Sequence, residues 1–374
     1  MERHYVPAIL LVVLVVPVRA LLGADQGVER VEVFVSGQEG YHTFRIPAVL
    51  VTQQGTLLAF CEGRKTSAND AGDLDLVLKR SHDGGKTWGP LELVYEEGGT
   101  EKITIGNPCP VVDQTTGTIW LPFCRDNDDV LMTHSTDEGK TWSQPVDITG
   151  DVKRKSWGWY ATGPGVGIQL TKGPFRGRMV IPCDHREKVG DIHATHSHVF
   201  QSDDHGQTWK LGGTVGRHTN ECQVVELADG QLMINMRNYW GRTGKIAEKG
   251  SMRTVSYSGD GGETWSELEY HNELVEPVCQ ASFLRYAFDA DGGKNIVLFS
   301  NPASAKTRHR LTIRLSEDEG RSWPKAKVLH AGPAAYSCLT VLPDRSVGCL
   351  YEGGENHAYE KILFARFPLE WLTD

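Results

Sequence analysis

Metal-binding cysteine spacing is absent from this chain. None of its eight cysteines forms a CxxC pair, which removes the usual sequence sign of a structural zinc site. Helical periodicity is scarce, so a helical bundle is excluded as the organising plan. No long low-complexity or Pro/Gly/Ser-rich stretch marks a linker, and the 374 residues are read as one large unit. Excess positive charge is missing too. A net charge of −9 makes nucleic acid an unpromising partner. An anionic ligand would need a local cluster of cations.

Long apolar runs are limited to the N-terminus. Arg3 and His4 precede the run from Val6 to Val16, and Val18-Arg19-Ala20 ends in a small residue. This is the pattern of an export signal within residues 1–24, with an uncleaved anchor as the alternative. Residues 25–374 then form the single folded domain. The reading implies a secreted or exported protein, whether periplasmic, extracellular or lumenal. That setting permits disulfides. Cys109 with Cys124, and Cys338 with Cys349, lie opposite in predicted hairpins. Buried free thiols are the equal alternative.

What the chain has in abundance is one repeated box, Ser-x-Asp-x-Gly-x-Thr-Trp. It starts at Ser81, Ser135, Ser202, Ser258 and Ser316, with Ser322 replacing Thr in the last copy. The starts are 54, 67, 56 and 58 residues apart. That period marks a repeat architecture such as a propeller. The box reads as a turn: Ser and Asp oxygens accept backbone N–H bonds, Gly takes φ > 0, and Trp packs beside it.

Short apolar runs between turn signals set out the units. Phe44 to Val51, Thr56 to Cys61, Asp73 to Arg80 and Leu91 to Tyr95 make the first four-stranded up-and-down sheet, with its box between strands three and four. Cys109 to Asp113, Gly165 to Leu170, Gln223 to Leu227 and Ala281 to Phe288 each open a further unit. Ser337 to Leu342, Ser346 to Tyr351 and Lys361 to Phe367 make three strands of a sixth. The early strand Val31 to Val35 supplies its fourth and closes the ring, which removes exposed edges. The predicted fold is all-β, a six-bladed propeller of four-stranded sheets.

Up-and-down topology puts every box on one face of the ring. Starts of first strands and the loops from second to third strands fall on the other. Six polar residues share that second face: Arg45, Asp70, Glu221, Arg237, Arg308 and Tyr336. Three arginines can clamp a carboxylate by charge-assisted hydrogen bonds. Glu221 can take the proton of Tyr336, whose free pKa is about 10. Asp70 is left as general acid. Each residue alone reads as a solvated side chain or structural ion pair; their convergence carries the functional reading. Trp157-Gly158-Trp159-Tyr160 is a further candidate wall of a pocket, or interblade packing. Asn107 and Asp184 are candidate sugar contacts. His193, His196 and His198 suggest a metal cluster at first sight, but lack a supporting carboxylate.

Phe44-Arg45-Ile46-Pro47 resembles the FRIP motif of exo-α-sialidases, and the boxes resemble their Asp boxes. The resemblance runs from about Val31 to the C-terminus. It implies cleavage of terminal α-linked sialic acid with retention, by Tyr336 as nucleophile, Glu221 as its partner and Asp70 as acid/base. The carboxylate clamp maps onto Arg45, Arg237 and Arg308, with Arg310 and Arg314 as alternatives to the last. Arg64, in Glu62-Gly63-Arg64, resembles a further carboxylate-side arginine. No metal or organic cofactor is implied. The implied partners are sialylated glycans: sialoglycoproteins, gangliosides and sialyl oligosaccharides. The alternatives are a non-catalytic Asp-box propeller that binds glycans or proteins, and a trans-sialidase.

Overall fold

Antiparallel sheets dominate the computed structural model, which describes residues 27–189, 192–240, 250–289 and 294–373. Residues 1–24, the predicted leader, lie outside the described residues. The sheets follow one another around a ring in a propeller arrangement. The first consists of Thr43–Val51, Leu57–Arg64, Leu74–Ser81 and Glu92–Tyr95 in chain order. Its second strand is buried at every residue, because both faces of the sheet are covered by neighbouring sheets. Thus Leu58, Phe60 and Leu78 pack on Leu121 and Phe123 of the next unit. On the other face Val49, Leu57 and Val77 pack on Phe34, Leu350 and Phe364 of the last.

The N-terminal strand behaves as predicted. Glu29–Val35 pairs antiparallel with Lys361–Phe367 and joins the end of the chain to its beginning. The count of six separate four-stranded blades needs correction. Among the described residues hydrogen bonding forms five sheets, of seven, five, five, four and four strands. The seven-stranded sheet arises because Lys325–Val341 runs unbroken for 17 residues. Its first half pairs with His309–Ser316 and its second half with Val347–Gly353. Gly332-Pro333 lies inside this strand without ending it, and Gly332 keeps a negative φ. The two five-stranded sheets have a first strand in two pieces. Ile105–Gly106 and Val111–Val112 are separated by Pro108 and Pro110, which have no N–H to donate. Trp157–Thr162 and Ile168–Gln169 are separated by Gly163-Pro164. The sequence pattern had marked only the later piece of each.

The boxes are turns built alike. In the first, Ser81 Oγ donates to Asp83 Oδ1 at 2.8 Å and accepts from Gly85 N at 2.9 Å. Asp83 accepts from the Thr87 amide at 2.9 Å and the Thr87 hydroxyl at 2.6 Å. The same pattern recurs around Asp137, Asp204, Asp260 and Asp318. Each box also packs on the preceding unit. A Cβ on Gly85 would sit 2.1 Å from the Phe364 ring, and Gly85 has φ +85°, so only glycine fits. Gly139 lies against Leu58, Gly206 against Trp120 and Gly320 against Met233. The boxes are therefore joints between sheets as well as turns.

Candidate active site

Strand register separates boxes from site. In the first sheet Leu57 pairs with Ser81 at one end, and Arg64 pairs with Thr43 and Leu74 at the other. Seven residues of strand span about 23 Å. At the far end from the boxes lies a cavity of about 620 Å³. It is lined by all eight site residues predicted from sequence: Arg45, Arg64, Asp70, Asn107, Glu221, Arg237, Arg308 and Tyr336.

Three of them are aimed by β-bulges. The pairing register slips between Arg45 and Ala48, between Thr219 and Cys222, and between Ala334 and Ser337. Arg45, Glu221 and Tyr336 sit in these slips. A bulge bends the strand and redirects a side chain that would otherwise point into a sheet interface. At the first bulge Ile46 has φ +61°, a conformation a β-branched residue rarely adopts.

Tyr336 is the floor of the cavity. Its hydroxyl donates to Glu221 Oε1 and accepts from Arg237 Nη1 at 3.1 Å. Arg237 also holds Glu221 Oε2 at 2.6 Å. Burial, and then the neighbouring Glu221 charge, push the Tyr336 hydroxyl well above its ordinary pKa. Arg237, Arg308 and Arg45 oppose that shift. The guanidinium carbons of Arg45 and Arg308 lie 4.9 Å and 5.5 Å from the Tyr336 ring centroid. The phenol is therefore neutral at rest, with a base in contact and cations ready to favour its anion.

Asp70 stands at the rim, its side chain 84% exposed. Its Oδ1 accepts from Arg64 at 2.9 Å and Arg45 at 3.3 Å. Partial desolvation works to raise its pKa, but the charges of Arg64 and Arg45 outweigh it and hold the carboxyl below its usual value. Arg308 donates to the Tyr359 hydroxyl at 2.6 Å and is held by no carboxylate among the described residues. Arg310 is exposed and does not line the cavity. Asn107, with φ +56°, uses its backbone N–H on Glu62 at 3.0 Å, which leaves its side chain at the wall.

Sequence reasoning missed the carboxylates behind the arginines. Glu352, fully buried, accepts from Arg45 Nε at 3.0 Å and Nη2 at 3.1 Å, and from the backbone of Ile46 and Tyr336. Glu62 holds Arg64 through Nε at 3.0 Å and Nη2 at 2.7 Å. Nothing local distinguishes these glutamates. Tyr359 was findable, since it lies in a loop from second to third strand. Arg186, Tyr239, Asn127 and Asn220 also line the cavity. Five arginines against Glu62, Asp70 and Glu221 in the lining give a local positive surplus on an acidic chain. That is the cation cluster an anionic ligand requires.

Other expectations resolve differently. Trp159 lines the cavity, under Arg186 at 5.0 Å. Trp157 is buried and stacks on His185 at 3.4 Å, so it packs the core. Asp184 is fully buried beneath the wall and bonded to Asn220; burial and Glu221 raise its pKa, and it does not reach the cavity. His198 Nδ1 pairs with His185 Nδ1 at 3.0 Å, and His196 Nδ1 bonds the Val215 carbonyl. These rings do not converge on a cation position; the His193 side chain lies outside the described residues. All eight cysteines are buried free thiols, so neither predicted cross-strand bridge forms. No described helix is long and apolar enough to cross a membrane.

Fold and boxes define the class: a β-propeller of Asp-box repeats. The BNR repeat-like domain matches residues 55–350. The chain is 36% identical over 362 residues to a sialidase of Micromonospora viridifaciens, covering 90% of this chain and 53% of that protein. It is 32% identical over 383 residues to an exo-alpha-sialidase of Aspergillus fumigatus, covering 90% of this chain and 86% of the relative. Among solved structures it is similar to the Hadza microbial sialidase Hz136, with TM-score 0.81 and 30% identity over 92% of this chain and 69% of that one. The chain belongs to the exo-α-sialidase family. It spans about half the length of the Micromonospora relative.

Proposed function

We propose that this protein is a retaining exo-α-sialidase that acts on terminal α-linked sialic acid of sialylated glycans. The observation that carries the reading is the Tyr336 hydroxyl bonded to both Glu221 and Arg237 on the floor of an arginine-lined cavity. Sialic acid bears a carboxylate on the carbon that is attacked. An anionic nucleophile would be repelled by it, whereas a neutral phenol that loses its proton during attack is not.

The steps follow from placement. Arg45, Arg237 and Arg308 take the substrate carboxylate. Tyr336 Oη forms a bond to the anomeric carbon as its proton passes to Glu221. The bond to the leaving oxygen breaks, and protonated Asp70 gives that oxygen its proton. Water then enters, Asp70 takes its proton, and the tyrosyl bond breaks with the proton returned from Glu221. Arg237 beside Glu221 and Tyr336 stabilises the charge that builds up between them. The expected export of the protein stands on the pattern of residues 1–24, and N-terminal sequencing of protein recovered outside the cell checks it.

The test is a fluorogenic α-sialoside offered to the wild type and to Tyr336→Phe. Hydrolysis by the wild type and loss of at least about 1,000-fold in the variant are expected. Correctly folded wild type that releases nothing overturns the activity. Equal rates overturn the nucleophile. Analysis of the sugar product separates hydrolysis from transfer to an acceptor.

A further inference from the structure

We infer that Arg64 is a positioning residue for Asp70 and not a ligand of the substrate carboxylate. The inference rests on the proposed function and deepens it. Arg64 borders the cavity yet is only 1% exposed. A guanidinium has five N–H donors in a fixed fork. Four hydrogen bonds from Arg64 already go to its own strand and the loop that follows: two to Glu62, one to the Ala68 carbonyl and one to Asp70. Glu62 is itself fixed, because its other oxygen accepts from the Asn107 amide at 3.0 Å. Arg64 is thus the hub of the loop between Leu57–Arg64 and Leu74–Ser81.

The other arginines are arranged differently. Arg308 has no carboxylate partner among the described residues; it meets Tyr359 Oη and, at 3.5 Å, the Val278 carbonyl. Arg45 spends Nε and Nη2 on Glu352 but gives Nη1 to Asp70 at a long 3.3 Å. A substrate carboxylate can take over that Nη1 contact without breaking a buried pair. Arg64 has one Nη2 N–H left over, so a two-oxygen contact with Arg64 would have to displace Glu62, the Ala68 carbonyl or Asp70. The arginines therefore divide. Arg45, Arg237 and Arg308 receive the anion, while Arg64 keeps Asp70 at the rim after Arg45 has let it go. Loss of the Arg45 contact, with a new anion nearby, makes Asp70 a stronger proton holder. Substrate arrival thereby favours the protonated form that the first chemical step needs.

The experiment compares wild type, Arg64→Lys, and Arg64→Met combined with Glu62→Gln, which avoids a buried unpaired carboxylate. It measures kcat and KM on a fluorogenic α-sialoside between about pH 4 and pH 8, and Kd for free N-acetylneuraminic acid by calorimetry. In the double variant kcat falls about 100-fold, the cost of a misplaced catalytic group. The Kd stays within about threefold of wild type, because no charge-assisted bond to the ligand is lost. With the Arg64 charge gone, the alkaline limb of kcat, which reports the substrate complex, moves to higher pH. Arg64→Lys keeps the charge, recovers part of kcat and leaves that limb near its wild-type position. A Kd weakened tenfold or more with kcat nearly intact makes Arg64 a ligand and overturns the inference, as does an unmoved alkaline limb. If the double variant does not fold, the Lys variant carries the same kcat-against-Kd comparison. Wild type that neither cleaves the sialoside nor binds the sugar overturns the proposed function, and this inference with it.

Discussion

Glu352 should prove the structural centre of the site although it does no chemistry. Four hydrogen bonds end on its buried carboxylate: two from Arg45, one from the Ile46 amide and one from the Tyr336 amide. It ties two bulges together, one at each end of the chain. Glu352→Ala leaves a guanidinium that is 4% exposed without its main partner, and two amides without acceptors. Breaking a buried pair costs about 3–5 kcal/mol. The Arg45 face toward the cavity can recruit water, so the lower end, about 3 kcal/mol, is the estimate. Glu352→Gln keeps one acceptor and the shape, and should cost about 1.5 kcal/mol through loss of charge. Urea unfolding followed by tryptophan fluorescence reads both numbers. Turnover per folded molecule should fall in both variants, because Arg45 and Tyr336 lose their alignment. Glu352→Ala within about 0.5 kcal/mol of wild type, with full turnover, would refute the reasoning.

The box aspartates predict acid lability. Thr141 bonds hold Asp137 at about 2, and at Asp83 the Thr87 bonds outweigh burial to give the same value. A depressed folded pKa stabilises above the unfolded value of about 3.9 and is lost as pH falls toward 2. Asp83→Ala should therefore destabilise by about 1 kcal/mol at pH 7, after allowance for exposure, and not at pH 2. Turnover per folded molecule should be unchanged; a loss of turnover with no loss of stability would contradict the topology. Gly85→Ala meets both the Phe364 ring and a left-handed backbone, and should cost about 2–3 kcal/mol by urea unfolding. Phe364→Leu should relieve part of that cost in the double variant. His185 is pushed down to about 3 by burial and then by His196. A folded His that stays neutral loses stability as pH falls below about 6.5, at about 1.4 kcal/mol per pH unit. His185→Phe should flatten the stability profile between pH 6 and pH 4; an unchanged slope would show that another group titrates there.

The fold was legible because its grammar is local and repeated. Each box carries its own turn chemistry, so Ser81 to Trp88 announces itself without any partner. The closing strand was legible by count: a sixth unit lacked one strand, and Val31 to Val35 had no unit. The errors fall where long-range pairing overrides a local break. Gly332-Pro333 punctuates the sequence, but hydrogen bonds on opposite edges hold Lys325–Val341 as one strand. Trp157–Thr162 was hidden for the converse reason. Its pairing slips between Trp157 and Tyr160, so its alternation is broken where it meets the site.

The site divides along the same line. Topology brings Arg45, Asp70, Glu221, Arg237, Arg308 and Tyr336 to one end of the ring, and that much follows from counting strands. What counting cannot reach is the shell behind them. Glu352 meets Arg45 across 307 residues of chain, and no spacing rule connects the two. The pairing depends on the last unit packing on the first, through Phe34, Leu350 and Phe364 against Val49, Leu57 and Val77, and through Phe364 against Gly85 at the box end. Box and site are therefore coupled through closure of the ring, although about 23 Å of strand separates them. A box glycine packed against the Phe364 ring helps to set whether Glu352 arrives under Arg45. Gly85→Ala should accordingly lower activity in partly unfolding conditions before it lowers activity in buffer. A box variant at an interior joint, such as Gly139→Ala against Leu58, should leave the Arg45–Glu352 pair in place at equal loss of stability. Comparing the two at matched urea distance from their midpoints isolates closure from stability as the requirement of the site.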